Sequence, residues 1–333
     1  MKYMLAVIGL SWLGAMCAHA QQTEALRKQF QVIKVAAERG DANGQCNLGY
    51  SYYDGQGVEK DFTEAVKWFR KAAEQNEIQA QSLLAHCYYK GQGVEKNYAE
   101  AVKWHRKAAD QGLANSQFAL ACCYNTGQGV EKDFTEAVKW FRKAAEQNEI
   151  HAQWLLGTNY YLGQGVEKDD AEAVKWYRKA AEQGCTGAQY RLGLCYYNGE
   201  GMEKNFTEAV KWFRKAAEQN EIKAQSLLAH CYYNGQGVEK EYAEGVKWYR
   251  KAAEQDYAPA QFNLASCYCN GRGVERDYAE AYAWLNLASK ADKDAADIRD
   301  AMEKKMSPQQ IGDAQRRTKE LRAQIDAKLK TGV

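Results

Sequence analysis

The sequence predicts an all-α solenoid: about seven helix-turn-helix repeats of 36 residues, wound as a right-handed superhelix, with capping helices at the ends. Three observations carry this expectation. The glycines Gly57, Gly93, Gly129, Gly165, Gly201, Gly237 and Gly273 follow one another at steps of 36 residues. The tryptophans Trp68, Trp104, Trp140, Trp176, Trp212, Trp248 and Trp284 keep the same step, as do the glutamines from Gln45 to Gln261. Only two prolines, Pro308 and Pro259, interrupt 333 residues, which favours helices throughout. A fixed period of 20–50 residues is the mark of stacked supersecondary units, none of which can bury its apolar face alone.

In chain order, residues 1–20 read as a signal peptide: Lys2, an apolar run to about Met16, then Ala18-His19-Ala20. That run is too short to span a bilayer. The expected mature chain begins at Gln21 and is periplasmic or secreted. Residues 24–40 match the second half of a repeat, and 21–40 are expected to form an N-terminal capping helix. The seven repeats are placed at 41–76, 77–112, 113–148, 149–184, 185–220, 221–256 and 257–292. Residues 293–333 depart from the pattern and are expected to form C-terminal capping helices, with Ser307-Pro308 as a helix start.

Within a repeat, helix A places Gln45, Leu48, Gly49, Tyr52 and Tyr53 on one face. The Gly-x-Gly turn breaks it. Helix B then starts at Asp61, where Asp61 and Glu64 suggest a capping box, and it buries Phe62, Ala65, Val66, Phe69, Ala72 and Ala73. Asn76, like Gly112 and Gly184 later, ends it. A phosphate-binding loop needs G-x-x-x-x-G-K-[ST] between a strand and a helix. Here the Gly-x-Gly follows a helix and its lysine precedes Asp, Asn or Glu, so the turn is read as structural. The segment GQGVEKDFTEAVKWFRKAAEQNEI occurs identically at 55–78 and 127–150, the trace of copying a self-compatible unit.

The motif Ala-x-x-x-Leu-Gly-x-x-Tyr-x-x-Gly-x-Gly-Val-x-x-Asp-x-x-x-Ala-x-x-Trp-[FY]-x-x-Ala-Ala resembles the Sel-one-like repeat family, a relative of the tetratricopeptide repeat. The resemblance covers roughly 24–320. It implies a solenoid with helix A on the concave side, adaptor or scaffold roles often in bacterial envelopes or host contact, and no shared catalytic residues.

A net charge of +2 offers no basic field for nucleic acid. Nine cysteines follow residue 20. The cysteine-rich branch of the family staples its repeats with disulfides, but the helix-B ends here read RKAAEQ and lack that pattern. Cys87, Cys123, Cys195, Cys231 and Cys267 share one position in the repeat. Equivalent points on stacked helices lie about 8–10 Å apart, whereas bridged Cα atoms need about 4.4–6.8 Å. These five are therefore expected to be small buried side chains, while Cys46, Cys122, Cys185 and Cys269 could pair or react. No metal signature or cofactor motif is present, and S-x-x-K and G-x-S-x-G are absent.

Helix-A positions that vary between repeats are the candidate ligand surface. One runs Cys46, Ser82, Phe118, Trp154, Tyr190, Ser226, Phe262; another runs Tyr50, His86, Cys122, Thr158, Leu194, His230, Ser266. The candidate binding residues are Phe118, Trp154, Tyr190, Tyr50, His86, His230 and Phe262. The expected function is a non-enzymatic interaction scaffold of the bacterial envelope that binds a peptide or protein segment on its concave face, without nucleic acid or stable membrane insertion. Two alternatives are a penicillin-recognising or cell-wall-related enzyme like the cysteine-rich branch, and a secreted host-interaction factor.

Overall fold

The computed structural model describes residues 24–331; the expected signal peptide, residues 1–20, lies outside them. Among the described residues there are seventeen helices and no strand. They divide into two compact units, one ending at Glu167 and one beginning at Lys168.

The first unit opens with α1 (24–38) and continues with α2 (Ala42–Asp54), α3 (Phe62–Glu74), α4 (Ile78–Lys90), α5 (Tyr98–Asp110), α6 (Ala114–Thr126), α7 (Phe134–Glu146) and α8 (Ile150–Leu162). Each helix packs against the next: α2 on α3, α3 on α4, and so on to α8. The even-numbered helices are the A halves of the repeats and the odd-numbered ones from α3 are the B halves.

Helix A begins where a side chain takes up free backbone donors. Asp41 accepts from Gly44 N at 2.6 Å, and Glu77 accepts from Ala80 N at 2.5 Å. It ends at the first glycine of the turn, Gly91 in the second repeat, whose φ of 73° lies in the left-handed region. The second glycine has a different task. A Cβ on Gly93 (φ 68°) would sit 2.0 Å from the Phe62 carbonyl oxygen at the start of the preceding helix B. The turn therefore touches the backbone of the previous repeat, and only glycine permits that approach.

Helix B is capped by Asp61, which accepts from Thr63 N and Glu64 N at 2.8 and 3.0 Å. The expected capping box is incomplete. Glu64 turns outward to Lys67 at 2.5 Å, and the Asp61 N–H donates instead to Tyr52 O at 2.9 Å, tying helix B to the helix A before it. Asn76, with φ of 65°, ends the helix.

The core follows from the repeated positions. Leu48, Leu84, Leu120, Phe69, Phe141 and the Ala72-Ala73 pair have no or almost no solvent exposure. The buried glutamines solve a hydrogen-bonding problem that stacking creates. Gln81 donates to Ala73 O, an end-of-helix carbonyl of the previous repeat, at 3.2 Å, and accepts from Gln111 at 2.8 Å. Gln45 does the same with Ala37 O and Gln75. A buried carbonyl without a donor would cost about 1–3 kcal/mol. The Trp140 ring is 6% exposed and carries Lys143 Nζ 4.1 Å from its centroid. Arg70 donates to Tyr88 OH at 2.7 Å, clasping one repeat to the next.

The second unit repeats this construction in α9 (Asp170–Glu182), α10 (Thr186–Asn198), α11 (Phe206–Glu218), α12 (Ile222–Asn234), α13 (Tyr242–Ala253), α14 (Ala258–Asn270) and α15 (Tyr278–Ala288). It adds α16 (Lys293–Glu303) and α17 (Pro308–Thr331). Both added helices pack on α15, and α17 buries Ala314, Leu321 and Ile325. Arg322 donates to both carboxylate oxygens of Asp256 at 2.9 Å, and Lys328 reaches Glu254 at 2.6 Å. That guanidinium holds the Asp256 carboxyl below the usual carboxylate range.

Candidate helix-A groove

In the first unit, three successive A helices and one B helix enclose a groove of about 580 Å³. Tyr50 of α2 stands at one side, Ser82, His86 and Tyr89 of α4 form the middle, and Phe118 and Cys122 of α6 face them. His105 of α5 also lines the groove, and Lys90 lies at its edge. Three of the candidate binding residues, Tyr50, His86 and Phe118, are thus brought together.

The walls are aromatic and polar. Phe118 is half-buried, its ring 6.0 Å from that of Phe141 and 6.1 Å from that of His151. Tyr50 is 43% exposed. The carboxylate of Asp54 beside it raises its phenol above the ordinary value, by charge and by hydrogen bonding. Tyr89 donates to Gln128 Oε1 at 2.8 Å, which fixes its ring at the groove edge. Partial burial lowers His86, with the nearby Lys90 ammonium adding to the effect. His105 is 8% exposed. Burial, reinforced by His86, pushes it down to about 4, so both rings are neutral at pH 7. His105 Nδ1 lies 3.4 Å from Ser116 Oγ.

The thiol of Cys122 is pushed up to about 12 by burial, then by Cys123 and Glu149. It stays protonated at neutral pH, the opposite of what a nucleophilic cysteine needs. All nine cysteines of the described residues are free. The five sharing one repeat position are buried, as their spacing predicted. The four at other positions, which the sequence allows to pair or react, are unpaired as well. No cluster of three His, Cys, Asp or Glu side chains able to hold a metal is found among the described residues.

The remaining candidates sit apart from this groove. Trp154, on α8, is half-buried, and its indole N–H finds no acceptor among the described residues. Tyr190 of α10 packs on the core of the second unit with its ring 6.4 Å from Phe213. His230 of α12 and Phe262 of α14 also belong to the second unit. Burial lowers His230, whose Nε2 lies 3.0 Å from Asn234 Nδ2. Sequence reasoning overlooked His105, because it looked for ligand residues on helix A alone. The signal was available: His105 occupies the position held by Phe69, Phe141, Tyr177, Phe213, Tyr249 and Leu285 in the other repeats.

Helix pairs in which each B half packs on the A half of the next repeat, with variable residues on the A halves, define an α-helical repeat scaffold, an architecture typical of protein–protein interaction. The Sel1 repeat pattern matches residues 42–77, 78–113, 114–149, 150–185, 186–221, 222–257 and 258–293, and the chain belongs to the Sel1 repeat family. It is 33% identical to c5321, a protective antigen of uropathogenic Escherichia coli strains with a solved structure; the likeness covers 92% of this chain and 74% of that one, with a TM-score of 0.63. A Sel1 repeat protein from Oxalobacter formigenes is 32% identical, over 84% of this chain and 81% of that one, with a TM-score of 0.65. The secretory immunoglobulin A-binding protein EsiB of Escherichia coli O6:H1 is 46% identical over 39 residues, which are 12% of this chain and 8% of that protein. Only a short part of that relative's length is therefore matched.

Proposed function

We propose that this chain is a non-enzymatic scaffold of the bacterial envelope that binds a peptide or protein segment on its helix-A face. The observation that carries the reading is the groove around Tyr50, His86 and Phe118. Tyr50, His86 and Phe118 stand at positions that the repeat leaves free to vary, whereas the leucine, alanine and glutamine positions that hold the stack scarcely change. Half-buried aromatic rings beside neutral hydrogen-bonding groups suit an extended segment with one anchoring side chain. Its cysteine is held as a thiol, which supports binding over covalent chemistry.

Export is supported by the leader-like residues 1–20, with Gln21 as the mature amino terminus, and by the likeness to an antigen and an immunoglobulin-binding protein. No helix among the described residues is long and apolar enough to cross a membrane. In the same reading α1 and the α16–α17 pair cap the two ends of the repeat array.

Photocrosslinking in the exporting cell tests the site. A photoreactive residue in place of Phe118 should give a discrete adduct, and one in place of Lys67, on the outer face of α3, should not. Alanine at Phe118, Trp154 and Tyr190 together should reduce capture of the same partner while helicity is retained. Equal adducts from both positions, or unchanged capture by a folded triple variant, would place the ligand elsewhere.

A further inference from the structure

The residues that line the groove of the first unit recur in part in the second, 144 residues later in the chain. Residues 77–96 and 221–240 differ at only two positions, so Ser82, His86 and Tyr89 recur as Ser226, His230 and Tyr233. Phe118 recurs as Phe262 on the following A helix. No other pair of repeats in the chain combines this histidine and serine with a phenylalanine on the next A helix.

One of the two differences removes a charge: Lys90 becomes Asn234. In the first unit Lys90 Nζ lies 5.8 Å from the centroid of the Tyr89 ring. In the second unit the equivalent ring, Tyr233, again carries a cation, now the Arg272 guanidinium at 5.9 Å, which donates to Tyr233 OH at 3.1 Å. Arg272 stands where every other repeat has glutamine or, once, glutamate. The side chain that supplies the charge has moved from helix A to the turn of the next repeat, yet the charge rests on the same tyrosine. The tyrosine hydroxyl itself does not require a cation, because Gln128 satisfies it at Tyr89 at 2.8 Å; Tyr53, at the same repeat position, also has a cation nearby, Lys60 at 6.0 Å.

We infer that the chain carries two equivalent binding sites, one in each unit, each taking a peptide segment in which an apolar side chain stands next to a carboxylate. The apolar side chain seats against Phe118 or Phe262 beside the neutral histidine. The carboxylate meets Lys90 or Arg272, the charged groups retained at the same ring of both sites. This rests on the scaffold reading of the helix-A groove and adds to it the second site and the ligand class. Two sites on one chain suit a partner that presents the segment more than once, since linked sites raise avidity without a new contact.

The test uses the chain from Gln21 to Val333 with isotope-labelled histidine rings, titrated with an end-blocked hexapeptide carrying Phe-Asp at its centre. The ring signals of both His86 and His230 should shift. Phe118→Ala should abolish only the His86 response and Phe262→Ala only the His230 response. Replacing Asp by Asn in the peptide should weaken both by about fivefold, the scale of one exposed ion pair. Lys90→Ala and Arg272→Ala, at exposed positions that leave the fold intact, should each weaken one site alone. A response at His86 only would overturn the second site and leave the scaffold reading in place. Equal binding of the Asn peptide would overturn the carboxylate. Silence at both histidines, in a protein that still gives the Phe118 crosslink in cells, would overturn the ligand class but not the groove.

Discussion

Replacing Gly93 by alanine tests how one repeat is fastened to the next. The substitution adds a Cβ at φ 68°, where an L residue is strained by about 1–2 kcal/mol. That Cβ would also lie 2.0 Å from Phe62 O and 2.8 Å from Thr63 N, both backbone atoms that no rotamer change can move. Relief requires the turn to withdraw from the start of α3, an overpacking cost of about 1–3 kcal/mol. The sum is about 2–5 kcal/mol, located at the seam between the first and second repeats. Gly112→Ala is the matched control. It has φ of 96° and no atom within 4 Å of the added Cβ, so it should lose only the backbone share of about 1–2 kcal/mol. Urea unfolding followed by far-UV circular dichroism would compare the two in one host. Gly93→Ala should also split off an early transition, because repeat arrays unfold by nearest-neighbour units. Equal losses for the two variants would refute the close-approach account and reduce both glycines to helix stops.

Trp140→Ala should cost about 3–5 kcal/mol in the same assay, since its ring is buried within the helix-B packing; a loss below about 1 kcal/mol would show that the ring contributes little. His105 titrates near 4 in the folded chain against an ordinary 6.5, so the unfolded chain takes up the proton first. Stability is then fully present above about pH 6.5 and lost as pH falls toward 4, by at most about 3 kcal/mol. His105→Phe, the residue found at this position in α3 and α7, should flatten that acid limb, and an unchanged limb would assign it to other groups. Burial pushes the thiols of Cys87 and Cys231 up to about 12, so neutral alkylation should leave them intact in the native protein. In urea without reductant all nine should react, and peptide mapping that found Cys87 joined to Cys123 would contradict the free thiols.

The repeat made the fold legible because each helix carries its own signals. The 36-residue step, the Asp61 cap, the paired turn glycines and the Asn76 stop are local, and local signals survive without knowledge of neighbours. The purpose of the repeated glutamine was not legible. Its period shows in the sequence, but the carbonyl it satisfies belongs to another repeat, and nothing in the spacing of Gln81 and Ala73 reveals that distance. The same limit hid the second glycine's task and the ion pairs of Arg322 and Lys328, which join residues 66 and 74 positions apart. At the site, variability between repeats pointed to Tyr50, His86 and Phe118 together. It did not reveal His105, which reaches the groove from a helix assigned wholly to the core.

The identical segments at 55–78 and 127–150 mean that α3 and α7 are the same helix in sequence, and α11 repeats it once more. Every contact that α3 makes with α2, and α7 with α8, is therefore already a working interface. A crossover between the two gene segments would excise α4 to α7 and rejoin α3 to α8 through a seam the chain already contains. The reciprocal product would insert the same helices and again join them through the shared helix-B sequence. The number of repeats can thus change in steps of two through a seam of identical helix-B sequence, with new neighbours only among the A helices. The excised stretch holds His86, His105 and Phe118. A lineage could lose or multiply this groove in one genetic event, so array length sets how many such surfaces the chain carries.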